Sequence, residues 1–146
     1  MKKEAFTFIE ILVVTIIVAI VIGFSSYFYL KLSKSIFVID ESASLVINIL
    51  NLARQKAVVG EENDNWGVWL INTSTQDYFY LFKGTTSTLK ERYQLPREVS
   101  FFDFTEKTIV FQKLSGETSA TTIKIGFSSN FFKTIKVATS GAIIVE

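Results

Sequence analysis

Chemistry that depends on a particular side chain has one conspicuous candidate in this sequence, Glu10, a carboxylate at the start of an apolar run. Between Glu4 and Lys31 no other residue is charged, and Ile11 to Leu30 is twenty residues of ILVVTIIVAIVIGFSSYFYL. Such a length spans a bilayer as one helix. A carboxylate at bilayer-centre depth costs about 2.5–3.5 kcal/mol on insertion scales, less near the interface. Glu10 is therefore either hydrated at the headgroup level or matched to a cation. Lys2 and Lys3 precede the run. Basic residues stay on the cytoplasmic side, so Met1 is expected there and everything after Leu30 outside. A cleaved secretory signal would have a short apolar core ending in a small-x-small site. This run is long, and its best candidate end, Ile22-Gly23-Phe24-Ser25, lacks that pattern.

Other chemistries lack their residues. The 146-residue chain has no His and no Cys, which removes Ser-His-Asp and Cys-His catalysis, zinc sites of the Cys/His type, disulfides and thiol redox chemistry. With 15 Lys+Arg against 14 Asp+Glu there is no basic excess for nucleic acid. Gly84-Thr85-Thr86 and Gly116-Glu117-Thr118 lack the second Gly and the Lys of a phosphate loop. Glu61-Glu62-Asn63-Asp64-Asn65 offers oxygen ligands without the spacing of a calcium loop, and reads as a solvated acidic turn. Lys83, Lys90, Arg92 and Arg97, with Tyr93 among them, form a scattered basic region offset by Glu91 and Glu98. Asn72-Thr73-Ser74 fits a glycosylation sequon on an expected surface turn. No enzyme, metal or cofactor is expected, and nucleic acid is not an expected partner.

The elements that must carry Glu10 are readable from periodicity. No Pro interrupts residues 6–59, and Gly60 follows Ala57-Val58-Val59 as a C-terminal stop, so one helix is expected to continue beyond the apolar span. Past the span, Tyr29, Leu32, Ile36, Ile39, Ala43, Val46, Leu50, Ala53 and Ala57 recur in a 3-4 alternation that makes a stripe. A second row, Val38, Leu45, Ile49 and Leu52, lies on an adjacent face, to be buried either on neighbouring chains or in the chain's own head. After Gly60 the pattern alternates and breakers multiply, marking a β-rich head over residues 60–146. Strands are expected at Trp66–Ile71, Tyr78–Phe82, Val99–Phe104, Thr108–Leu114, Thr121–Phe127, Lys133–Ala138 and Ala142–Val145, with Gly84 to Pro96 as a long irregular loop. Strand spacing without intervening helical patterns means antiparallel sheets covered by the amphipathic half of the helix. Phe101-Phe102 and Phe131-Phe132 place aromatics on opposite strand faces. The face turned from the helix then needs cover of its own, from a subunit contact or from a second layer of the head.

Lys2-Lys3-Glu4-Ala5, followed by Phe6-Thr7-Phe8-Ile9-Glu10 and the apolar run, resembles the class III leader of type IV prepilins and type II secretion pseudopilins. In that family a short basic leader ending in Gly, less often Ala, is cut before a Phe that is followed four residues later by Glu. The resemblance implies cleavage by prepilin peptidase between Ala5 and Phe6, methylation of the freed Phe6 amine, and pairing of Glu10 with Phe6 of a neighbouring subunit during assembly. Methylation retains the positive charge, so the amine remains a fit counter-ion for Glu10. Ala5 stands where Gly is usual, and Phe8 where Leu is usual. The implied organisation is a leader at 1–5, a membrane and assembly helix at 6–30, an amphipathic continuation at 31–59 and the head at 60–146. That is an α+β, type IV pilin-like fold, a long N-terminal helix packed on an antiparallel β-sheet head. The span lacks the kinking Pro that many major pilins carry near the position of Tyr27, which suits minor pilins and pseudopilins.

A narrower similarity, to H-type minor pseudopilins and related minor pilins, rests on Leu52-Ala53-Arg54-Gln55-Lys56-Ala57, Trp66-Gly67-Val68, and Ile135-Lys136-Val137 followed by Ser140-Gly141-Ala142-Ile143. The implied partners are prepilin peptidase, other pilin subunits and an inner-membrane assembly platform. The implied location is the cytoplasmic membrane with the head outside, then an extracytoplasmic pilus or secretion filament. Two alternatives stay open, a DNA-uptake competence pilin and a single-pass anchored binding domain that never polymerises. On the family reading the mature chain begins at Phe6 and has 141 residues, five fewer than the 146 of the full sequence, with a methylated amine. Intact mass of the membrane form checks this, and retention of residues 1–5 contradicts it.

Overall fold

The computed structural model describes residues 7–86, 88–128 and 131–146. They form one helix, α1 (Phe8–Val59), a single 3-10 turn at Glu61–Asn63, and eight strands: β1 (Trp66–Ile71), β2 (Tyr78–Lys83), β3 (Leu89–Gln94), β4 (Ser100–Phe102), β5 (Glu106–Phe111), β6 (Thr121–Ser128), β7 (Phe131–Val137) and β8 (Ile143–Val145). The chain separates into two compact units, Met1–Ile36 and Phe37–Glu146, so residues 37–59 of α1 belong with the strands.

In the first unit the side chains described from Thr7 to Leu30 are all exposed, although Phe8–Leu30 has a mean hydropathy of 2.8 and is long enough to cross a membrane. Two of its hydroxyls turn back onto the helix: Thr15 Oγ1 donates to the Leu12 carbonyl (2.8 Å) and Ser26 Oγ to the Ile22 carbonyl (2.9 Å). Each hydroxyl is thereby satisfied within the segment, as an apolar solvent requires.

In the second unit the helical stripe meets the strands. Ile39, Ala43, Val46, Leu50, Ala53 and Ala57 are all buried. The expected stripe is therefore buried from Ile39 onward, whereas Tyr29 and Ile36, in the first unit, stay exposed at 73% and 44%. The second row belongs to the chain's own head: Ile49 is buried, and Val38, Leu45 and Leu52 pack half-buried against the same core. Helix residues 56–60 end as the sequence requires. Gly60 takes φ 69°, a left-handed conformation that suits Gly, and its N–H donates to the Ala57 carbonyl at 3.0 Å.

The strands form two antiparallel four-stranded sheets, ordered β3-β2-β1-β5 and β4-β6-β7-β8. Alternation turns Trp66, Val68, Leu70, Phe79, Leu81 and Ile109 of the first sheet, and Phe101, Ile123, Ile125, Ile135 and Val137 of the second, into one core with the helical stripe. At Gly67 a Cβ would lie 2.5 Å from both a Phe82 ring carbon and the Ile109 carbonyl oxygen. The missing side chain is what lets the buried Phe82 ring cross the strand.

The region Gly84 to Pro96 is corrected. It contains β3, paired with β2 from Tyr78↔Gln94 to Phe82↔Leu89. Its sequence, LKERYQ, is exposed along almost its whole length, so it shows no apolar alternation. Charged residues on an edge strand also discourage pairing with other chains. Phe101 is fully buried and Phe102 half-buried, whereas Phe131 and Phe132 remain 38% and 39% exposed.

A buried carboxylate ties the two sheets together. Asp77, 1% exposed, accepts hydrogen bonds from Phe101 N–H of β4 (2.6 Å) and from Thr73 N–H in the β1–β2 turn (2.8 Å). Beside it Asn72 Nδ2 donates to the Phe101 carbonyl at 2.6 Å. Burial pushes the Asp77 carboxyl above the usual carboxylate range, against the opposing pull of these two N–H groups. Replacing Asp77 by Ala orphans two N–H donors and should cost roughly 2–6 kcal/mol of stability, read by denaturant unfolding of the detergent-solubilised chain. The folded state binds the Asp77 proton more readily than the unfolded state. Its titration therefore favours folding fully below the unfolded-state pKa, and this contribution is lost as pH rises through the raised folded-state value. The stability difference between wild type and Asp77→Asn, which cannot titrate, should widen as pH falls through that window.

Candidate functional site

Glu10 sits on the third residue of α1, and its surroundings contain a feature that the sequence reading overlooked. The Thr7 N–H donates to Glu10 Oε2 at 3.1 Å, and the Thr7 hydroxyl donates to the same oxygen at 3.0 Å. In return the Glu10 N–H donates to Thr7 Oγ1 at 3.4 Å. This reciprocal arrangement is a capping box, with Thr7 as the N-cap and Glu10 at the third helical position. It satisfies two amide donors that α1 leaves without helical partners, and it places a carboxylate at the positive end of the helix dipole. The signal was present as Thr7-x-x-Glu10 directly ahead of an apolar run.

Capping and ion pairing are not exclusive. Both bonds fall on Oε2, and among the described residues Oε1 receives none. The cap thus fixes where the carboxylate points and leaves an oxygen for a cation. Ala5 and Phe6, the expected cleavage and methylation positions, lie outside the described residues.

The other motifs are absorbed by the fold. In the acidic turn, Glu61 pairs with Lys56 (2.5 Å), while Glu62 pairs with Lys83 (2.8 Å) and Lys90 (3.3 Å). The contacts to Lys83 and then Lys90 hold the exposed Glu62 carboxyl below its ordinary range. Lys56 also lies 4.6 Å from the Trp66 ring centroid, and Trp66 Nε1 donates to the Glu61 carbonyl at 3.0 Å. These contacts join the end of α1 to β1 and to the β2–β3 hairpin. Among the described residues no group of three or more His, Cys, Asp or Glu is placed to hold a metal ion.

The scattered basic residues do not gather into a strand-binding patch. Lys83 and Lys90 converge on Glu62, Arg92 stacks 4.0 Å from the Tyr78 ring centroid, and Tyr93 donates to Glu91 while stacking on Phe79. Asn72, the sequon residue, has its amide nitrogen engaged by Phe101. A polar cleft of about 560 Å³ opens beside β5, lined by Asn65, Gln112, Glu117, Thr118 and Ser140 among others. Glu117 is its one ionisable lining group, so the cleft holds no acid and base pair.

A search of solved structures finds the type IV minor pilin FimU of Pseudomonas aeruginosa strain PAO1, with a TM-score of 0.57 at 12% identity, over 73% of this chain and 91% of that one. The chain has the type IV pilin fold. No family model matches its sequence, and no curated protein matches it. The architecture expected from the leader and the helical stripe, a long N-terminal helix with antiparallel sheets packed on it, is thus the one observed.

Separating the cap from the charge on this pilin-fold helix takes two variants. Thr7→Ala removes the cap and should destabilise the first turn by about 0.5–2 kcal/mol. Glu10→Gln keeps an acceptor for Thr7 and should spare it. Amide hydrogen exchange at residues 8–11 in detergent micelles is expected to accelerate in the first variant only.

Proposed function

We propose that this chain is a structural subunit, a pilin or minor pilin or pseudopilin, of an extracytoplasmic filament of the type IV pilus or type II secretion kind. Prepilin peptidase cuts it between Ala5 and Phe6, and the new Phe6 amine is methylated. Before assembly it resides in the cytoplasmic membrane through one helix with the head outside. It then joins other pilin subunits through an inner-membrane assembly platform.

The observation that carries this reading is the start of α1. A carboxylate held by a capping box opens a 23-residue apolar helix, Phe8–Leu30, whose described side chains are all exposed. A plain membrane anchor gains from Glu10 only the helix cap, which an uncharged Gln would also supply, and the charge itself burdens insertion. A subunit that packs its helix beside others gains a partner for the Phe6 amine of its neighbour. A mispaired subunit would leave two charges buried and unmatched, which sets the axial register. The pilin fold of the head supports the same reading. A DNA-capturing pilin is less well supported, because Lys83 and Lys90 are already matched by Glu62.

Glu10→Val should insert as well as wild type or slightly better. Its assembly should fail, because breaking one side of a buried ion pair typically costs about 3–5 kcal/mol, more than a hundredfold in an association constant. Fractionation is expected to find this variant, and Glu10→Gln with it, in the membrane and absent from sheared filaments. Wild-type incorporation of both would assign Glu10 to the headgroup level and its cap alone.

A further inference from the structure

Phe131 and Phe132 open β7, and both remain exposed. Two contacts fix where they lie along the helical part of the second unit. Lys133 Nζ meets Asp40 Oδ1 at 2.6 Å, and Arg54 Nη2 donates to the Ser140 carbonyl at 3.2 Å. β7 therefore runs in the same direction as α1, from the level of Asp40 toward that of Arg54. The five strand residues Lys133–Val137 rise about 16 Å before the chain turns at Ser140, against about 21 Å for the fourteen helical residues from Asp40 to Arg54. Phe131 and Phe132, which precede Lys133, consequently fall near the level of Phe37, itself 68% exposed.

Chain continuity decides what meets this aromatic end. Leu30 closes the apolar segment, and the six residues 31–36 can reach about 25 Å even if fully extended. Once Phe8–Leu30 is in a bilayer, Phe37 is tethered within that distance of its surface. The headgroup layer is where aromatic rings with nearby lysines partition, ring inward and ammonium toward water. Lys124 Nζ lies 5.2 Å from the Phe132 ring centroid, and Lys133 flanks Phe131.

We propose that Phe37, Phe131 and Phe132 form a second, peripheral membrane contact, which docks the head on the outer surface of the bilayer before assembly. The inference rests on Phe8–Leu30 being the anchor. It goes beyond the filament role, since it gives the unassembled subunit a defined seat and makes release from lipid part of joining a filament.

The chain has no Cys, so single cysteines can carry an environment-sensitive dye. The full chain is reconstituted in vesicles of phosphatidylethanolamine and phosphatidylglycerol with the dye at Phe132→Cys, Phe37→Cys, Val18→Cys or Val59→Cys. Val59 is 78% exposed at the opposite end of the helical part of the second unit and serves as the aqueous reference. Dyes at 132 and 37 should show blue-shifted emission and quenching by lipid-borne nitroxides, while the dye at 59 shows neither. Phe37 on the helix gives the reading if a change at Phe132 perturbs the hairpin. Dyes at 132 and 37 as aqueous as at 59 overturn the proposal. Shielding that disappears as protein is diluted in lipid also overturns it and assigns the surface to a second copy. An aqueous dye at 18 removes the anchor itself, and the proposal falls with it.

Discussion

The fold of the second unit depends on one helical stripe. Residues Ala43, Val46, Leu50, Ala53 and Ala57 join the inner faces of both sheets in one buried core, and Ile39 extends the buried stripe. The small residues Ala43, Ala53 and Ala57 of that stripe share one buried core with strand side chains as large as Trp66, Phe79 and Phe101. Close packing in such a core makes the volume of each residue matter. The same requirement explains Gly67, where Phe82 uses the space of an absent side chain, and Gly60, whose left-handed backbone ends the helix in time for the chain to turn into β1.

Two solvents act on one helix. In helix residues 37–59 apolar residues are buried at helical spacing and polar ones alternate with them, the pattern of a segment with protein on one side and water on the other. In Phe8–Leu30 the apolar residues cover the whole circumference and none of those described is buried. Such a segment is stable only where its surroundings are apolar all round, in lipid or among like helices, and the back-bonded hydroxyls of Thr15 and Ser26 suit either. The second apolar window, Ile36–Val59, is also long enough to cross a membrane, yet its burial against strands identifies it as a core helix.

What the sequence disclosed follows from which interactions are periodic. The stripe, Gly60 and β1, whose limits coincide with Trp66–Ile71, are local patterns of apolar residues and breakers, so they were legible. β3 was not, because an exposed, charged edge strand is specified by the free backbone edge of β2 rather than by its own side chains. Asp77 read as the last residue of a polar turn. Its burial arises only when β4, more than twenty residues later, brings the Phe101 N–H to it. The Thr7–Glu10 box is legible by its spacing ahead of an apolar run, and Glu10, conspicuous as a charge in an apolar segment, also has the ordinary role of a helix cap.

That dual role bears on how a carboxylate can be kept at the start of such a helix. A carboxylate on a mobile side chain there would be drawn toward the headgroups, which would blur the position of the group. Two donors from Thr7 satisfy one oxygen within the chain and hold the side chain against the first turn, where the helix dipole also favours negative charge. The carboxylate is then oriented before any partner arrives, and among the described residues its second oxygen accepts no hydrogen bond. On the reading proposed above, pre-orientation would lower the conformational entropy lost on pairing, so a cation supplied by another subunit would meet a fixed acceptor rather than a mobile side chain. On that reading, a cap that would contribute about 1 kcal/mol to an isolated helix has a further consequence in this one, because it sets the geometry of the charge that a neighbouring subunit's amine would meet.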